Sequence, residues 1–347
     1  MASDLEVLEQ ARVDIAKCIG ADFKEIYFTS GGSEADNQAI ISAAKLGALR
    51  NKKHIISTKI EHHAVLHTVE YLEKRHGFEV TYLDVDEDGI VDLRQLEDSI
   101  TDQTILITIM AANNEIGTIQ PIEQIGEIAK AHNIPFHTDA VQAIGQVPID
   151  VKKMNISMLS MSGHKIYGPK GIGVLYVKRG TKLDNFMLGG AQEHGRRAGT
   201  ENVPGIAGMA LAAEMIYSKF DEDINKMYEL KEYFINEVTK IEGTTVNGLT
   251  GRESAPHVIS VSFEDIPRSE VLLHALEEKG IYVSSGSACA SNHPALSGTL
   301  QAIGIRKDLL SSTLRFSLSV FTTKEELDYT ISALKTLLPV LRKYKPR

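Results

Sequence analysis

Strand-like and helix-like patterns alternate along the first two-thirds of the chain. Short apolar runs typical of buried strands occupy residues 25–29, 54–59, 79–85, 104–110, 134–139, 157–162 and 172–178. Segments with helical spacing of apolar residues lie between most of them, including 33–47 and 121–132, and another covers 4–19. Strands that alternate with helices in this way form a mostly parallel sheet covered on both faces. The pattern predicts an α/β fold with ligand-binding groups at the carboxyl ends of the strands.

The pattern changes after about residue 203. A helical stretch covers roughly 203–240, with a charged break near Asp221–Asp223, and strands at 256–263, 281–285 and 312–319 follow among further helices. A chain of 347 residues is long enough for two domains. We predict a large domain at 1–220 and a smaller C-terminal α+β domain at 221–347.

Composition and charge narrow the class of protein. With 37 Lys+Arg against 46 Asp+Glu, the net charge of −9 argues against a surface that binds nucleic-acid phosphates. The two cysteines, Cys18 and Cys289, exclude a disulfide framework and a four-cysteine metal site, and they fit a reducing compartment. No apolar run approaches the ~20 residues that span a bilayer, and no signal-peptide pattern is present. We therefore expect a cytoplasmic protein that binds neither nucleic acid nor membrane.

The segment TSGGSEADN at 29–37 is a candidate anion site. It follows a predicted strand and opens a predicted helix. Gly31 and Gly32 allow a tight turn, Ser33 is placed to cap the helix, and the N–H groups of a helix start favour an anion. The spacing matches neither the P-loop nor the dinucleotide fingerprint, and such a turn is as often merely a turn.

Two further segments supply an acid and an amine. Asp139 ends an apolar strand in IPFHTDAVQAIG, where a carboxylate either caps a helix or binds a cationic group. Lys165 follows the next strand in SMSGHKIYGPKGIG, where it is either solvated or held as a Schiff-base lysine. With the glycine turn, these groups offer a phosphate site, an amine for an aldehyde and an acid for a ring nitrogen. This combination predicts a site for pyridoxal 5'-phosphate (PLP).

The two cysteines have different surroundings. Small residues flank Cys289 in SSGSACASNHPALSG, which indicates an exposed loop and a nucleophilic thiol rather than an inert buried one. Cys18 lies on the apolar stretch of the first predicted helix, where we interpret it as a packing residue.

Histidines and one arginine complete the set of candidates. His63 and His67 stand four apart in EHHAVLH and so share a helix face, but no third ligand is evident, so we expect no metal site. His62, at the predicted helix start, is better suited to stack on a cofactor ring. Arg315 lies in an otherwise apolar strand, and it is either a structural ion-pair partner or a clamp on a substrate carboxylate.

Several motifs occur in order from about residue 10 to about residue 340: EHHAVL, NNEIGTIQPI, HTDAVQ, SGHKIYGPKGIG, GRRAGTENV, SSGSAC and RFSL. With these motifs the chain resembles the cysteine desulfurases of the iron–sulfur-cluster and nitrogen-fixation type, a group of class-V aminotransferases. The resemblance implies the PLP-transferase fold of type I, with a seven-stranded-type sheet in the large domain. It also implies a set of cofactor contacts, which are Gly32, Ser33, His62, Asp139, Gln142, Ser162, His164, Lys165 and Thr200.

The resemblance assigns roles within this set. Lys165 would bind the cofactor aldehyde and later abstract the Cα proton, Asp139 would pair with the pyridine nitrogen, and Gln142 would hydrogen-bond the ring oxygen. His62 would stack on the ring and assist proton transfer. Thr200 would reach the phosphate of a neighbouring subunit, which implies a homodimer. The remaining contacts would hold the phosphate, and they are Gly32, Ser33, Ser162 and His164.

The resemblance also implies a reaction. Asn114 and Arg315 would bind the carboxylate of L-cysteine, and Cys289 would take its sulfur as a persulfide, leaving L-alanine. Proteins that scaffold iron–sulfur clusters or thiolate tRNA are the implied acceptors, and Cys289 would contact a cluster only during transfer. A selenocysteine lyase or cystine C–S lyase is the alternative enzyme, and it needs no persulfide carrier.

The sequence departs from the family pattern in a few places. Ser33 stands where Thr is usual, and Ala191 and His194 stand where Gly and Arg are common. The family's N-terminal strand with a DNAATT-like motif has no counterpart here, so the 1–220 domain is expected to lack that segment. A truncated gene model, a processed form and a natural short variant all fit this pattern. An inactive homologue that acts as a binding partner is a further alternative.

Overall fold

The computed structural model describes residues 3–285 and 296–343 of the chain. Two units can be distinguished. The first comprises the chain up to Asp84, Val91–Ala112 and Gln120–Phe220, and the second comprises Val85–Ile90, Asn113–Ile119 and the chain from Asp221 onward. The domain boundary predicted at residue 220 puts the two short segments in the large domain. Asn113–Ile119 belongs with the second unit because its backbone hydrogen bonds lead there, such as the one from the Ile119 N–H to the Glu253 carbonyl at 3.0 Å.

A seven-stranded sheet runs through the described part of the first unit. Its strands are β1 (Ile26–Thr29), β2 (His54–Thr58), β3 (Glu79–Leu83), β4 (Thr104–Thr108), β5 (Phe136–Asp139), β6 (Met158–Ser162) and β7 (Gly173–Val177). The spatial order is β1-β7-β6-β5-β4-β2-β3. The pairs β2–β3, β2–β4, β4–β5 and β5–β6 are parallel, whereas β7 pairs antiparallel with β1 and β6. The predicted α/β fold with a mostly parallel sheet is confirmed.

Helices flank this sheet. They are α1 (Asp4–Cys18), α2 (Gly32–Ala48), α3 (His63–His76), α4 (Leu93–Asp98), α5 (Ile122–Ala131) and α6 (Val203–Ser218). α2 buries Ala35, Ala39 and Ala44, and these small residues let it approach the sheet closely. At Gly47 the approach is so close that a Cβ would lie 2.7 Å from the Ile105 side chain. An alanine there would force the helix away from the sheet.

The second unit contains a four-stranded antiparallel sheet in its described residues, in the order β10-β11-β9-β8. Its strands are β8 (Thr244–Asn247), β9 (Val258–Phe263), β10 (Ser284–Ser285) and β11 (Thr313–Ser317), and its helices are α7 (Phe220–Val238), α8 (Ser269–Glu277), α9 (Gly298–Ala302), α10 (Lys307–Leu310) and α11 (Lys324–Leu341). Phe234, Phe263 and Phe316 lie at the centre of a buried apolar cluster in this unit.

Two local predictions differ from the structure. The helical break lies at Lys219, between α6 and α7, and the acidic residues Asp221–Asp223 form the first turn of α7 instead of interrupting a helix. Carboxylates are favourable at that position because the helix dipole is positive there. β8 was not predicted. No helix in residues 3–285 and 296–343 has the length and apolar character needed to cross a membrane.

Candidate active site

The glycine turn (residues 29–33) packs against the ends of the central strands. A Cβ on Gly173, at the start of β7, would lie 2.6 Å from Cα of Gly31. A Cβ on Gly32 would lie 2.6 Å from Cγ2 of Val141, in the turn that follows β5. Any larger residue at either glycine would therefore push the turn away. The glycines place the start of α2 beside the carboxyl ends of β5 and β6.

The N-terminus of α2 differs in one detail from the sequence prediction. Gly31 is the N-cap residue and no side chain caps the helix, so the prediction that Ser33 is the cap is wrong. Ser33 already lies inside the helix with an exposed side chain. The first N–H groups of a helix have no partner within it. Exposed Ser33 and these N–H groups together remain suited to an anion such as phosphate.

Asp139 lies at the carboxyl end of β5 and is 5% exposed. Its Oδ1 accepts a hydrogen bond of 2.9 Å from the N–H of Val141, so it caps a turn and not a helix. Burial raises the pKa of Asp139, while the Val141 N–H and the positive charge of Lys165 act in the opposite direction. A cationic partner at this carboxylate would therefore hold it ionised.

Lys165 lies at the next strand end. It belongs to the 3₁₀ turn Gly163–Ile166 that follows β6, and its side chain is exposed. Tyr167 ends this turn with φ of +61°, a conformation that is uncommon for a residue with a side chain. The turn therefore directs the chain sharply away just after the lysine. Backbone of this kind is frequent where a structure holds a functional group in place.

The two histidines near Lys165 are held in the neutral form. His62 is the N-cap of α3, and its Nδ1 accepts a hydrogen bond of 3.1 Å from the N–H of Ala64. Burial lowers the pKa of His62, and the positive charge of Lys165 lowers it further. His164 Nδ1 lies 2.8 Å from the Ser162 hydroxyl. Burial lowers the pKa of His164, and the positive charge of Lys165 lowers it further. Because its Nδ1 is an acceptor, neutral His62 carries its proton on Nε2.

A buried polar cluster lies on β4, β5 and β6. The ring of His137 joins the Thr108 hydroxyl at 2.8 Å and the Ser160 hydroxyl at 2.9 Å. Complete burial lowers the pKa of His137 to about 3, so the ring is neutral. Asp36, on α2, lies 3.6 Å from this ring. Burial and then the charge of Asp139 raise the pKa of Asp36 well above its usual range.

Glu61 is a second acid that burial holds in the protonated form. Its Oε1 accepts hydrogen bonds of 2.9 Å from the Thr58 hydroxyl and from the N–H of Met110. Burial raises the pKa of Glu61 to about 8. With Glu61 and Asp36 protonated, Asp139 is the carboxyl group of the three that can carry the negative charge near neutral pH.

Two ion pairs fix the segment that leads to Thr200. Arg12 and Glu193 are buried and form a bidentate pair with both N–O distances at 2.7 Å. Arg197 contacts Glu34, in the first turn of α2, at 2.8 and 3.1 Å. The segment between them therefore lies beside the glycine turn. Thr200 itself is exposed.

The remaining predicted site residues are less closely constrained. Gln142 is half-buried in the turn after β5. In the second unit, Nη1 of Arg315 donates a hydrogen bond of 2.8 Å to the backbone carbonyl of Asn114, so these two residues are neighbours. Cys289 lies outside the described residues. Cys18 is half-buried on α1, and burial raises the pKa of its thiol to about 12.

Comparisons with known proteins identify the family of this chain. The family model described as aminotransferase class-V matches residues 2–330. The cysteine desulfurase IscS of Dictyoglomus turgidum is 47% identical over 341 residues, which is 98% of this chain and 85% of the relative. The chain belongs to the cysteine desulfurases of this family, which are PLP-dependent enzymes. A second cysteine desulfurase IscS, from Methanosarcina thermophila, is 50% identical over 97% of this chain and 82% of its own length.

Solved structures give the same result for the fold. A structure titled "NIFS-LIKE PROTEIN" superposes with a TM-score of 0.90 at 37% identity, and the match covers 97% of this chain and 89% of that one. A structure titled "SspA in complex with cysteine" has a TM-score of 0.79 at 40% identity, covering 92% of this chain and 88% of the other. The architecture of this desulfurase is thus shared with NifS-like proteins.

Sequence reasoning missed several residues that the structure places at or near the candidate site. Asp36 and Glu61 stand inside the quoted motifs TSGGSEADN and EHHAVL, but acidic side chains are usually exposed, and the motifs gave no reason to expect otherwise. The buried pair of Arg12 and Glu193 joins residues 181 positions apart. No local pattern carries that information. The signal available for Glu61 was its position beside His62, at the end of an apolar strand.

Proposed function

We propose that this chain removes sulfur from L-cysteine in a PLP-dependent reaction, leaving L-alanine. The observation that carries the proposal is the arrangement at the sheet edge, where a glycine turn, buried Asp139, neutral His62 and exposed Lys165 lie at neighbouring strand ends. These groups fit PLP, since they offer a cradle that any Cβ would fill, an acid in a dry environment and an accessible amine. When bound, PLP supplies an electron sink that stabilises negative charge at the substrate Cα.

The residues of the first unit have separate tasks in this proposal. The start of α2, Ser162 and His164 hold the phosphate, and Asp139 holds a proton on the pyridine nitrogen. Because Asp36 and Glu61 are protonated, they add no negative charge that would compete with this interaction. Lys165 binds the cofactor aldehyde and moves the Cα proton of the substrate.

His62 and Gln142 orient the ring of the cofactor. Neutral His62 stacks on the cofactor ring. Its imidazole is fixed in orientation because its Nδ1 accepts a hydrogen bond from the backbone of α3. Gln142 lies in the turn that Asp139 caps, which suits a hydrogen bond to the ring oxygen. Thr200 is exposed and reaches the phosphate of a second subunit in the proposed homodimer.

The second unit supplies the substrate carboxylate site and the sulfur acceptor. Arg315 and Asn114 are neighbours and bind the carboxylate of L-cysteine. The thiolate of Cys289 attacks the substrate sulfur, the Cβ–S bond breaks, and a persulfide forms on Cys289. The related structure that contains cysteine supports this choice of substrate. A protein that builds iron–sulfur clusters or thiolates tRNA then takes the sulfur.

The experiment compares Lys165→Ala with Lys170→Ala, a matched variant of an exposed lysine in the same loop. Both proteins are incubated with PLP and L-cysteine, and sulfide, alanine and the visible absorption band are measured. We expect Lys165→Ala to lose the band and the products, whereas Lys170→Ala retains both. Equal product formation by the two variants would contradict the role of Lys165.

Cys289→Ala tests the second half of the reaction. It is expected to keep the visible band and to lose alanine formation from L-cysteine. L-selenocysteine and L-cystine serve as comparison substrates, since their lyases need no persulfide carrier. Full turnover of L-cysteine by Cys289→Ala would refute the persulfide step, and a preference for L-selenocysteine or L-cystine would favour the lyase.

A further inference from the structure

A buried lysine of the second unit has no task in the proposed reaction. Lys231, on α7, is 1% exposed. Its Nζ donates hydrogen bonds of 2.8 Å to the Ser254 hydroxyl and of 2.8 Å to the Ala255 carbonyl. Burial lowers the pKa of Lys231 to about 8. Because lysine is almost never fully buried without a partner, these two bonds are the reason that this position tolerates it.

The same face of α7 holds a short strap, defined here as residues 252–255. Tyr228 lies one turn before Lys231, and its hydroxyl donates to the Ser254 carbonyl at 3.1 Å. The Arg252 guanidinium lies 4.8 Å from the centre of the Tyr228 ring. Lys231 and Tyr228 therefore bind the strap from one side, and its position depends on α7.

The strap in turn supports the 113–119 loop. The N–H of Ala255 donates to the Gly117 carbonyl at 2.7 Å, and the N–H of Ile119 donates to the Glu253 carbonyl at 3.0 Å. Gly117 has φ of +80°, and a Cβ there would lie 2.8 Å from the Ser254 hydroxyl oxygen. Ser254 thus contacts Lys231 and lies close enough to the loop that a side chain at Gly117 would collide with it.

The 113–119 loop carries Asn114 and is held together by hydrogen bonds among its own residues. Oδ1 of Asn113 accepts hydrogen bonds from the N–H groups of Glu115 at 2.8 Å and Ile116 at 3.0 Å. The Asn114 carbonyl accepts the bond of 2.8 Å from Arg315. A displacement of the strap therefore reaches the loop, and through the loop the guanidinium of Arg315.

We propose that Lys231 is a positioning residue for the carboxylate site formed by Asn114 and Arg315. It touches neither substrate nor cofactor, and it acts by holding Ser254 and Ala255 under the loop. The inference rests on the proposed function, because it assumes that Arg315 and Asn114 bind the substrate carboxylate. Its consequence is selective: loss of Lys231 weakens recognition of the carboxylate and leaves the chemistry at Lys165 intact.

The test compares L-cysteine with L-cysteine methyl ester, which lacks the carboxylate charge. The variants are Lys231→Met, which keeps the apolar stem, and Ser254→Ala, which removes one of the two acceptors. Lys226→Met is the matched control, since Lys226 is an exposed lysine of the same helix. For each holoenzyme the ratio of kcat/KM for acid over ester is measured, with circular dichroism and the visible band as checks on folding and PLP binding.

We expect the wild type to prefer the acid. Lys231→Met should lose about tenfold of that preference through KM, because displacement of Arg315 weakens its hydrogen bond to the substrate carboxylate, and a bond to a charged group contributes on this scale. Ser254→Ala is expected to lose a smaller part of the preference for the acid. The double variant of Lys231→Met with Ser254→Ala should lose no more of it than Lys231→Met alone. Lys226→Met keeps the wild-type ratio.

Each other outcome has a definite meaning. If Lys231→Met lowers kcat/KM for acid and ester equally, Lys231 is merely structural and the inference is overturned. If Lys231→Met fails to fold, an unchanged ratio in Ser254→Ala overturns it. If the wild type does not distinguish acid from ester, the proposed carboxylate role of Arg315 and Asn114 fails, and the inference fails with it.

Discussion

Breaking the buried ion pair of Arg12 and Glu193 is expected to destabilise the first unit strongly. The two side chains are 4% and 3% exposed, and they form two bonds of 2.7 Å. Arg12 also donates to the Ile26 carbonyl at 2.9 Å, and Glu193 accepts from the N–H of Phe28 at 2.8 Å. The pair therefore ties α1 and β1 to the segment that precedes Thr200.

The magnitude follows from what Arg12→Met leaves behind. Burial alone acts to lower the pKa of Arg12, but the contacts with Glu193 outweigh it and raise that pKa above its ordinary value. Methionine leaves the Glu193 carboxylate buried without its counter-ion, which costs about 3–5 kcal/mol. That is at least about a fifth of a stability of about 5–15 kcal/mol. Glu193 and His194 also have φ of +48° and +53°, and the pair helps to hold this strained backbone.

The assay is urea unfolding followed by circular dichroism, because the sequence contains no tryptophan to report by fluorescence. Lys17→Met is the matched control, since Lys17 lies on the same helix in an exposed pair with Asp14 at 3.5 Å. We expect the control to change the unfolding free energy by less than about 0.5 kcal/mol. Limited trypsin digestion at Arg196 and Arg197 reports local opening of the segment.

The double variant Arg12→Met with Glu193→Gln separates two explanations. If the cost arises from an unpaired buried charge, the double variant is more stable than the sum of the single variants predicts. A loss below about 1 kcal/mol in Arg12→Met, or strict additivity, would refute the reasoning. Faster trypsin cleavage in Arg12→Met with unchanged global stability would also refute the predicted global destabilisation, and it would confine the effect to the segment.

Three further predictions concern charge and pH. Burial lowers the pKa of His137 to about 3, so between pH 6.5 and 5 the unfolded chain binds a proton that the native ring does not bind. In urea titrations over this range, the free energy of unfolding of the wild type should fall by about 2 kcal/mol relative to that of His137→Asn. Burial lowers the pKa of Lys231 to about 8, so from pH 8 to 10.5 the native state releases a proton that the unfolded chain retains. The free energy of unfolding of the wild type should therefore rise by up to about 3 kcal/mol relative to that of Lys231→Met. If it does not rise, the burial of a charged amine at this position is contradicted. Glu34→Gln removes the ion pair with Arg197 beside the glycine turn and should raise the dissociation constant of PLP severalfold in a spectral titration, whereas an unchanged constant would separate the pair from phosphate binding.

The alternation of strands and helices could be predicted because apolar periodicity is a local property of the sequence. The predicted strands at 54–59 and 172–178 correspond to β2 and β7 with ends shifted by a residue or so. β8 was missed because Thr244–Asn247 holds a single apolar residue, Val246. Its pairing with β9, and not its own composition, makes it a strand.

Residues of the candidate site could be predicted only where the residue type, together with its position after an apolar strand, indicates a chemical role. Lys165 and Asp139 follow apolar strands, and the topology of a parallel sheet brings such positions to one edge. The order of the strands, the protonated state of Glu61 and the contact of Arg197 with Glu34 depend on distances between remote parts of the chain. Glu61 illustrates the limit, since its pKa near 8 results from burial that no motif encodes.

The position of β1 also has a consequence for synthesis on the ribosome. β1 lies at the edge of its sheet and pairs with β7, so that Ile26 opposes Tyr176, 150 positions later. At a synthesis rate of about 5–20 residues per second, roughly 8–30 s pass between the synthesis of β1 and that of β7. During this time four consecutive residues that are buried in the native state have no strand to pair with. The nascent chain is therefore expected to need protection by a chaperone until Val177 has left the exit tunnel.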